Sequence, residues 1–180
     1  MRYGSRQDEI MNAIAKVVKA LSNDYKIKYY VFHEGDFQAL KYFENNNTDM
    51  EIVNLNTGLT TAEIIKACTS LNLVIGMRGH AQLIPFGCNT PILSVISHDK
   101  LKWFLDDINH PEWGVDVLDK DFEHKLYDTA HYILNNQQKI QEQINTSQQN
   151  LYEITNENLK FMLEKYAVDN CQQRYIGYSM

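Results

Sequence analysis

The sequence predicts an α/β fold, a doubly wound parallel sheet followed by a long C-terminal helix. Short apolar runs that end in glycine or polar residues alternate with one-sided helical patterns, which is typical of parallel strands joined by helices. Apolar residues then recur at helical spacing in a Gln- and Asn-rich segment. We therefore expect an α/β domain over residues 1–136, a long amphipathic helix over 137–168 and a tail over 169–180.

The first half of the predicted domain contains two helix–strand units. Residues 7–21 have the apolar spacing of a one-faced helix, and strands are expected at 27–32 and 50–55. Thr60 and Glu63 have the spacing of a capping box, which predicts that a helix begins there.

The second half begins with a strand–helix–strand unit. Buried strands are expected at 73–76 and 92–96, with a short helix at 81–86 between them. A further strand at 115–118 and a helix at 122–134 complete the domain. No glycine-rich dinucleotide fingerprint and no phosphate-binding lysine loop occurs, so the familiar cofactor and nucleotide cradles are not indicated.

Composition excludes several classes of protein. The net charge of −6 argues against a nucleic-acid surface, which needs a concentrated basic face. No apolar run approaches the roughly 20 residues of a membrane span. The three cysteines are scattered and lack metal-binding spacing, so we expect no metal and a reducing, cytoplasmic setting.

The turn after residues 73–76 is the first candidate site. In open α/β sheets ligands bind at the carboxyl ends of the strands, and Arg78, Gly79 and His80 occupy this position. Arg78 offers a planar donor fork to an anion, and His80 is a proton carrier at neutral pH. The alternative is that both residues only cap the next helix and pair with a carboxylate elsewhere.

Two further strand ends carry polar residues. His33 and Glu34 follow the strand at 27–32, either as part of the same cleft rim or as a turn and cap, and Asp36 can cap the next helix. Lys100 follows the strand at 92–96 and is either directed to the same crevice or solvated in a first helical turn.

Three stretches carry a resemblance to a known family: LVIGMRGHA at 73–81, GCNTPILSV at 87–95 and DKLKWFLDDI at 99–108. Together they resemble the polysaccharide pyruvyl transferase family, and the similarity extends weakly over about residues 2–158. The resemblance implies that the chain is the Rossmann-like C-terminal domain of a glycosyltransferase-B-like fold, without the N-terminal domain of the family. It also implies transfer of pyruvate from phosphoenolpyruvate, as a ketal, onto a sugar of a cell-surface polysaccharide or its precursor.

The family motif is Arg, an apolar residue, then His, with a Lys further along, and Arg78, His80 and Lys100 match it. Gly79 departs from the apolar middle position. The resemblance implies that His80 is the general acid/base and that Arg78 and Lys100 hold the donor, with Gly79, His33 and Glu34 at the substrate-binding rim. Phosphoenolpyruvate is then the donor substrate and a saccharide the acceptor, with no cofactor.

Two other functions remain open. A nucleotide-sugar glycosyltransferase would hold a ribose with a carboxylate late in the domain, for which Glu112 and Asp116 fit poorly. A non-catalytic module would bind a partner through the sheet and the long helix. Because the helix has one apolar stripe, we expect self-association or pairing with a missing N-terminal domain.

Overall fold

The computed structural model describes residues 6–56 and 58–172, with side chains as far as Tyr166. The first half contains α1 (Gln7–Leu21), β1 (Lys28–Val31), a 3₁₀ helix (Glu34–Ala39), α2 (Leu40–Asn45), β2 (Glu51–Asn54) and α3 (Thr61–Thr69). The second half contains β3 (Val74–Gly76), α4 (His80–Gly87), β4 (Ile92–Ile96), α5 (Asp99–Asp107), a 3₁₀ helix (Pro111–Trp113), β5 (Gly114–Asp116), α6 (Phe122–Asn135) and α7 (Gln137–Gln172).

The strands are all parallel, as the sequence predicts, and they form two short sheets. One sheet pairs β1 with β2, and the other has the order β3-β4-β5. No ladder of hydrogen bonds joins β1 to β3 within the described residues. These two strands have only four and three residues, fewer than the usual five or six, and so offer few backbone groups for pairing. The prediction of an α/β fold is confirmed at this coarser level.

One hydrophobic core lies beneath these elements. All five residues of β4 are buried, which explains its unbroken apolar character apart from Ser94. Helix α1 packs against α6, with Ala15 and Ala130 fully buried. The first turns of α7 add Ile140 and Ile144 to the same core.

Local signals in the sequence set several element boundaries. The predicted bounds of α1 and β4 are those observed. The capping box of α3 is confirmed, because Thr60 Oγ1 accepts from the Glu63 N–H and the Glu63 carboxylate accepts from the Thr60 N–H at 2.8 Å. Asp36 also caps, although it does so within the 3₁₀ helix that precedes α2 and not in front of the next helix, as the sequence predicted.

The last helix has two different halves. Its first turns are packed, and Ser147 Oγ donates to the carbonyl of Ile108 at 3.0 Å. Beyond Leu151 the large apolar side chains are more than half exposed: Tyr152, Ile154, Leu159, Phe161, Met162, Leu163 and Tyr166. The helix continues to Gln172, into the segment expected to be a tail, and residues 173–180 lie outside the described residues. None of the described helices has both the length and the apolar character that a bilayer crossing requires.

Candidate functional site at the strand ends

The turn after β1 is closed by its own polar groups. His33 Nδ1 accepts a hydrogen bond from the Gly35 N–H at 3.0 Å, and Asp36 Oδ2 accepts from the N–H groups of Phe32 and His33 at 3.0 and 2.9 Å. These bonds form a capping box at the start of the 3₁₀ helix. His33 therefore acts as a cap, one of the two roles open from the sequence, and Glu34 beside it is exposed.

Arg78 connects this turn to the end of β3. Its Nη2 lies 2.8 Å from Asp36 Oδ1, and the Asp36 side chain is only 12% exposed whereas that of Arg78 is 57% exposed. This ion pair bridges the carboxyl ends of two strands that belong to different sheets. The sequence alternative in which Arg78 pairs with a distant carboxylate is thus observed, and the same contact places Arg78 between the carboxyl ends of β1 and β3.

Tyr29 supports the same turn from within β1. Its hydroxyl donates to the backbone carbonyl of Asp36 at 2.8 Å. Burial, reinforced by the nearby Asp36 carboxylate and opposed by Arg78, raises the pKa of Tyr29 to about 12. The phenol therefore stays protonated and keeps this bond across the neutral range.

The start of α4 is more open. Gly79 is the N-cap residue with φ −54° and ψ −43°, and a Cβ at this position would have no atom within 4 Å. Neither the backbone nor the packing thus requires glycine here. His80 is the first residue of α4 and is exposed. The first N–H groups of a helix have no intrahelical partner, so they are available to an anion.

The end of β4 is joined to the end of β3 by a buried hydroxyl. Ser97 is fully buried, and its Oγ lies 3.3 Å from the Met77 carbonyl oxygen and 2.7 Å from His98 Nδ1. Lys100, in the first turn of α5, is exposed.

The structure brings only some of the predicted residues into contact. Arg78 meets the β1 turn through Asp36. No hydrogen bond or ion pair is seen for His80 or Lys100 among residues 6–56 and 58–166. The sequence reasoning did not select Asp36 as the partner of Arg78, nor Ser97 and His98. The signal that could have found His98 is a histidine within two residues of the end of a buried strand.

The carboxylates of the glycosyltransferase alternative are not free. Glu112 lies before β5, at the opposite edge from the strand ends, and pairs with His110 Nδ1 at 2.8 Å. Asp116 ends β5 and accepts from the Leu118 N–H at 2.9 Å.

Two open pockets lie along α7, with volumes of about 310 and 350 Å³. None of the strand-end residues lines them. No group of three or more His, Cys, Asp and Glu side chains suited to a metal occurs in the described part of the chain.

Comparisons of the chain with protein-family models, with curated proteins and with solved structures give no match.

Proposed function

We propose that the chain is a polysaccharide pyruvyl transferase-like enzyme that moves pyruvate from phosphoenolpyruvate, as a ketal, onto a sugar of a cell-surface polysaccharide or its precursor. The observation that carries this proposal is the position of Arg78 at the meeting point of the β1 and β3 carboxyl ends. His80 and Lys100 follow two adjacent strands of one sheet, so three basic side chains mark one edge.

The first role of the strand-end residues is to bind a small acid that has two anionic groups. Arg78 uses Nη2 for Asp36, and the rest of its half-exposed donor fork remains for a carboxylate or phosphate. Lys100 and the first N–H groups of α4 supply further positive potential. The ion pair with Asp36 fixes the guanidinium before a ligand arrives, which lowers the ordering cost of binding.

The second role of the strand-end residues is proton transfer. One sugar hydroxyl loses its proton as its oxygen bonds to the central carbon of phosphoenolpyruvate, and the methylene carbon gains a proton to become a methyl group. The second hydroxyl then replaces the phosphate, which leaves with the bonding electron pair, and its proton is released. His80 is exposed at this edge and is the general acid/base of the proposal.

The finer fold is part of the proposal. We place β1 beside β3 in one doubly wound, Rossmann-like sheet, the C-terminal domain of a glycosyltransferase-B-like fold. The Arg78–Asp36 bridge and the shared core support this arrangement. A cytoplasmic location is consistent with the free thiols of Cys68 and Cys88.

Release of phosphate from phosphoenolpyruvate in the presence of mixed oligosaccharides tests the activity. His80→Ala in the full chain should lower turnover roughly 100-fold or more, the scale of a lost proton transfer. The matched control is His124→Ala, because His124 is exposed on α6 outside the strand-end turns. Unchanged turnover in His80→Ala ends this role for His80.

A thermal shift assay separates the two donor classes. Phosphoenolpyruvate should raise the melting temperature of the chain, and uridine diphosphate should not, because both Glu112 and Asp116 already have protein partners. Stabilisation by uridine diphosphate alone supports the nucleotide-sugar alternative.

The outer half of α7 favours a second, compatible role in self-association. Tyr152, Leu159 and Tyr166 recur every seven residues, with Thr155 and Met162 between them, and none of these positions is charged. We propose that a second copy covers this stripe, since identical heptad stripes pair with each other. Light scattering at tens of micromolar should give twice the 21.0 kDa chain mass. Leu159→Glu should give monomers and Glu157→Gln should not, whereas a monomeric wild type contradicts pairing.

A further inference from the structure

The buried Ser97 hydroxyl fixes where one imidazole carries its proton. Ser97 Oγ has a single proton and two close neighbours, the Met77 carbonyl oxygen and His98 Nδ1. The carbonyl can only accept. If the hydroxyl donated its proton to Nδ1, a lone pair of Ser97 Oγ would face the carbonyl oxygen of Met77 at 3.3 Å, with no proton between the two oxygens. Donation to the carbonyl and acceptance from an Nδ1–H satisfies both contacts, as buried polar groups require.

The neutral His98 ring therefore carries its proton on Nδ1 and its lone pair on Nε2. Such a ring is a base at Nε2, held in one orientation by the bond at the other nitrogen. The ring is half-buried, on an extended backbone at φ −148° and ψ 151°, two residues beyond the buried end of β4. Through Ser97 it is tied to Met77, the residue directly before Arg78.

We propose that His98 is a second proton carrier at this edge, the base for the acceptor hydroxyl, and that Ser97 is its positioning residue. The inference rests on the proposed function, whose first step needs one group that takes a proton and one that gives it. His98 Nε2 takes the hydroxyl proton as the sugar oxygen bonds to the central carbon, and His80 gives a proton to the methylene carbon. One proton is removed and one is supplied, so the step balances without any further reactant.

The tautomer is tested first, on the full chain without substrate. Two-dimensional ¹⁵N NMR of the histidine rings should show that the neutral form of the His98 ring is protonated at Nδ1 and unprotonated at Nε2. Ser97→Ala removes the acceptor and should shift the ring toward the Nε2–H form. A wild-type ring already protonated at Nε2 overturns the inference, whatever the activity of the protein.

Turnover is tested next, by phosphate release from phosphoenolpyruvate with mixed oligosaccharides. His98→Gln should lower kcat roughly 100-fold while KM for phosphoenolpyruvate changes little, because His98 holds a proton and not the donor anion. In the same variant, turnover should no longer fall on the acid side of the pH–rate profile, where protonation inactivates a general base. Ser97→Ala should show a smaller loss and an altered acid limb, and His131→Gln on α6 is the matched control.

The outcomes separate the two proposals. A wild-type chain that releases no phosphate overturns the proposed function, and the role of His98 falls with it. An active wild type with an equally active His98→Gln overturns the role of His98 alone. If His98→Gln fails to fold, the tautomer and the Ser97→Ala pH profile decide in its place.

Discussion

The turns after β1 and β3 have similar residue types at equivalent strand ends but use them differently. In the β1 turn, His33 Nδ1 and Asp36 Oδ2 accept hydrogen bonds from the backbone of the turn, and Asp36 Oδ1 accepts from Arg78. In the β3 turn, Arg78 makes one ion pair from a half-exposed side chain, and His80 is exposed. The comparison teaches that position at a strand end does not by itself make a binding residue. A polar side chain there is available to a ligand only if its polar atoms are not already used in hydrogen bonds that form the turn.

The largest expected effect is at Asp36. Its carboxylate accepts from two backbone N–H groups and from Arg78, and it is nearly buried. Asp36→Asn should lower the free energy of unfolding in urea by about 2–3 kcal/mol, the scale of hydrogen bonds to charged groups. Glu34→Gln, in the same turn but exposed, should change it by less than about 0.5 kcal/mol. Equal effects of the two substitutions would contradict the structural role given to the β1 turn.

Two glycines divide the β3 turn into a packed part and a free part. A Cβ at Gly76 would lie 2.6 Å from Ala81 Cβ, so Gly76→Ala should destabilise by about 1–3 kcal/mol through overpacking. Gly79→Ala meets open space at a helical φ and should stabilise by about 0.4–1 kcal/mol. Chemical denaturation of both variants is the check, and a destabilising Gly79→Ala would show that the tip of the turn is constrained after all.

His33 and His80 test the difference between the β1 and β3 turns, because one substitution should affect stability and the other turnover. His33→Ala removes the acceptor for the Gly35 N–H and should cost about 1 kcal/mol of stability, as the loss of a cap does. His80→Ala should leave stability within about 0.5 kcal/mol, since the ring is exposed and no hydrogen bond or ion pair holds it in the described part of the chain. Phosphate release should show the reverse order of effects. If both variants lost stability and turnover to a similar extent, the different roles given to the β1 and β3 turns would be contradicted.

The last prediction is a pH dependence of stability that originates in Tyr29. Its pKa is raised from 10.0 to about 12, so above pH 10 the unfolded chain loses this proton before the folded chain does. The stabilisation is fully present below pH 10 and should be lost as the pH rises from about 10 to about 12. Urea unfolding across this window should show a decline that Tyr29→Phe flattens. If the free energy of unfolding of Tyr29→Phe declines as steeply as that of the wild type, groups other than Tyr29 cause the decline.

Short-range signals in the sequence predicted much of the fold. The apolar period of α1, the continuous apolar run of β4 and the capping box of Thr60 and Glu63 each depend on neighbours within a few residues. The separation of β1 from β3 was not predictable, because it depends on how two short strands meet across the core.

The candidate site was predictable in position and not in its pairing. Strand ends identified Arg78, His80 and Lys100 as one edge. The partner of Arg78 is Asp36, which lies in another helix–strand unit, and the Ser97 hydroxyl bridges the ends of two consecutive strands across the intervening α4. Such contacts arise from the tertiary fold, so no local pattern signals them.

The most direct test of the account is whether Arg78 binds a small diacid where the carboxyl ends of β1 and β3 meet. Calorimetric titration of the full chain with phosphoenolpyruvate should show binding that Arg78→Gln weakens roughly tenfold or more, because a charge-assisted donor fork is lost. Arg6→Gln, which removes a surface arginine paired with Glu9, should bind as the wild type does. Equal affinity of Arg78→Gln and wild type, with the fold of both confirmed by circular dichroism, would contradict the account.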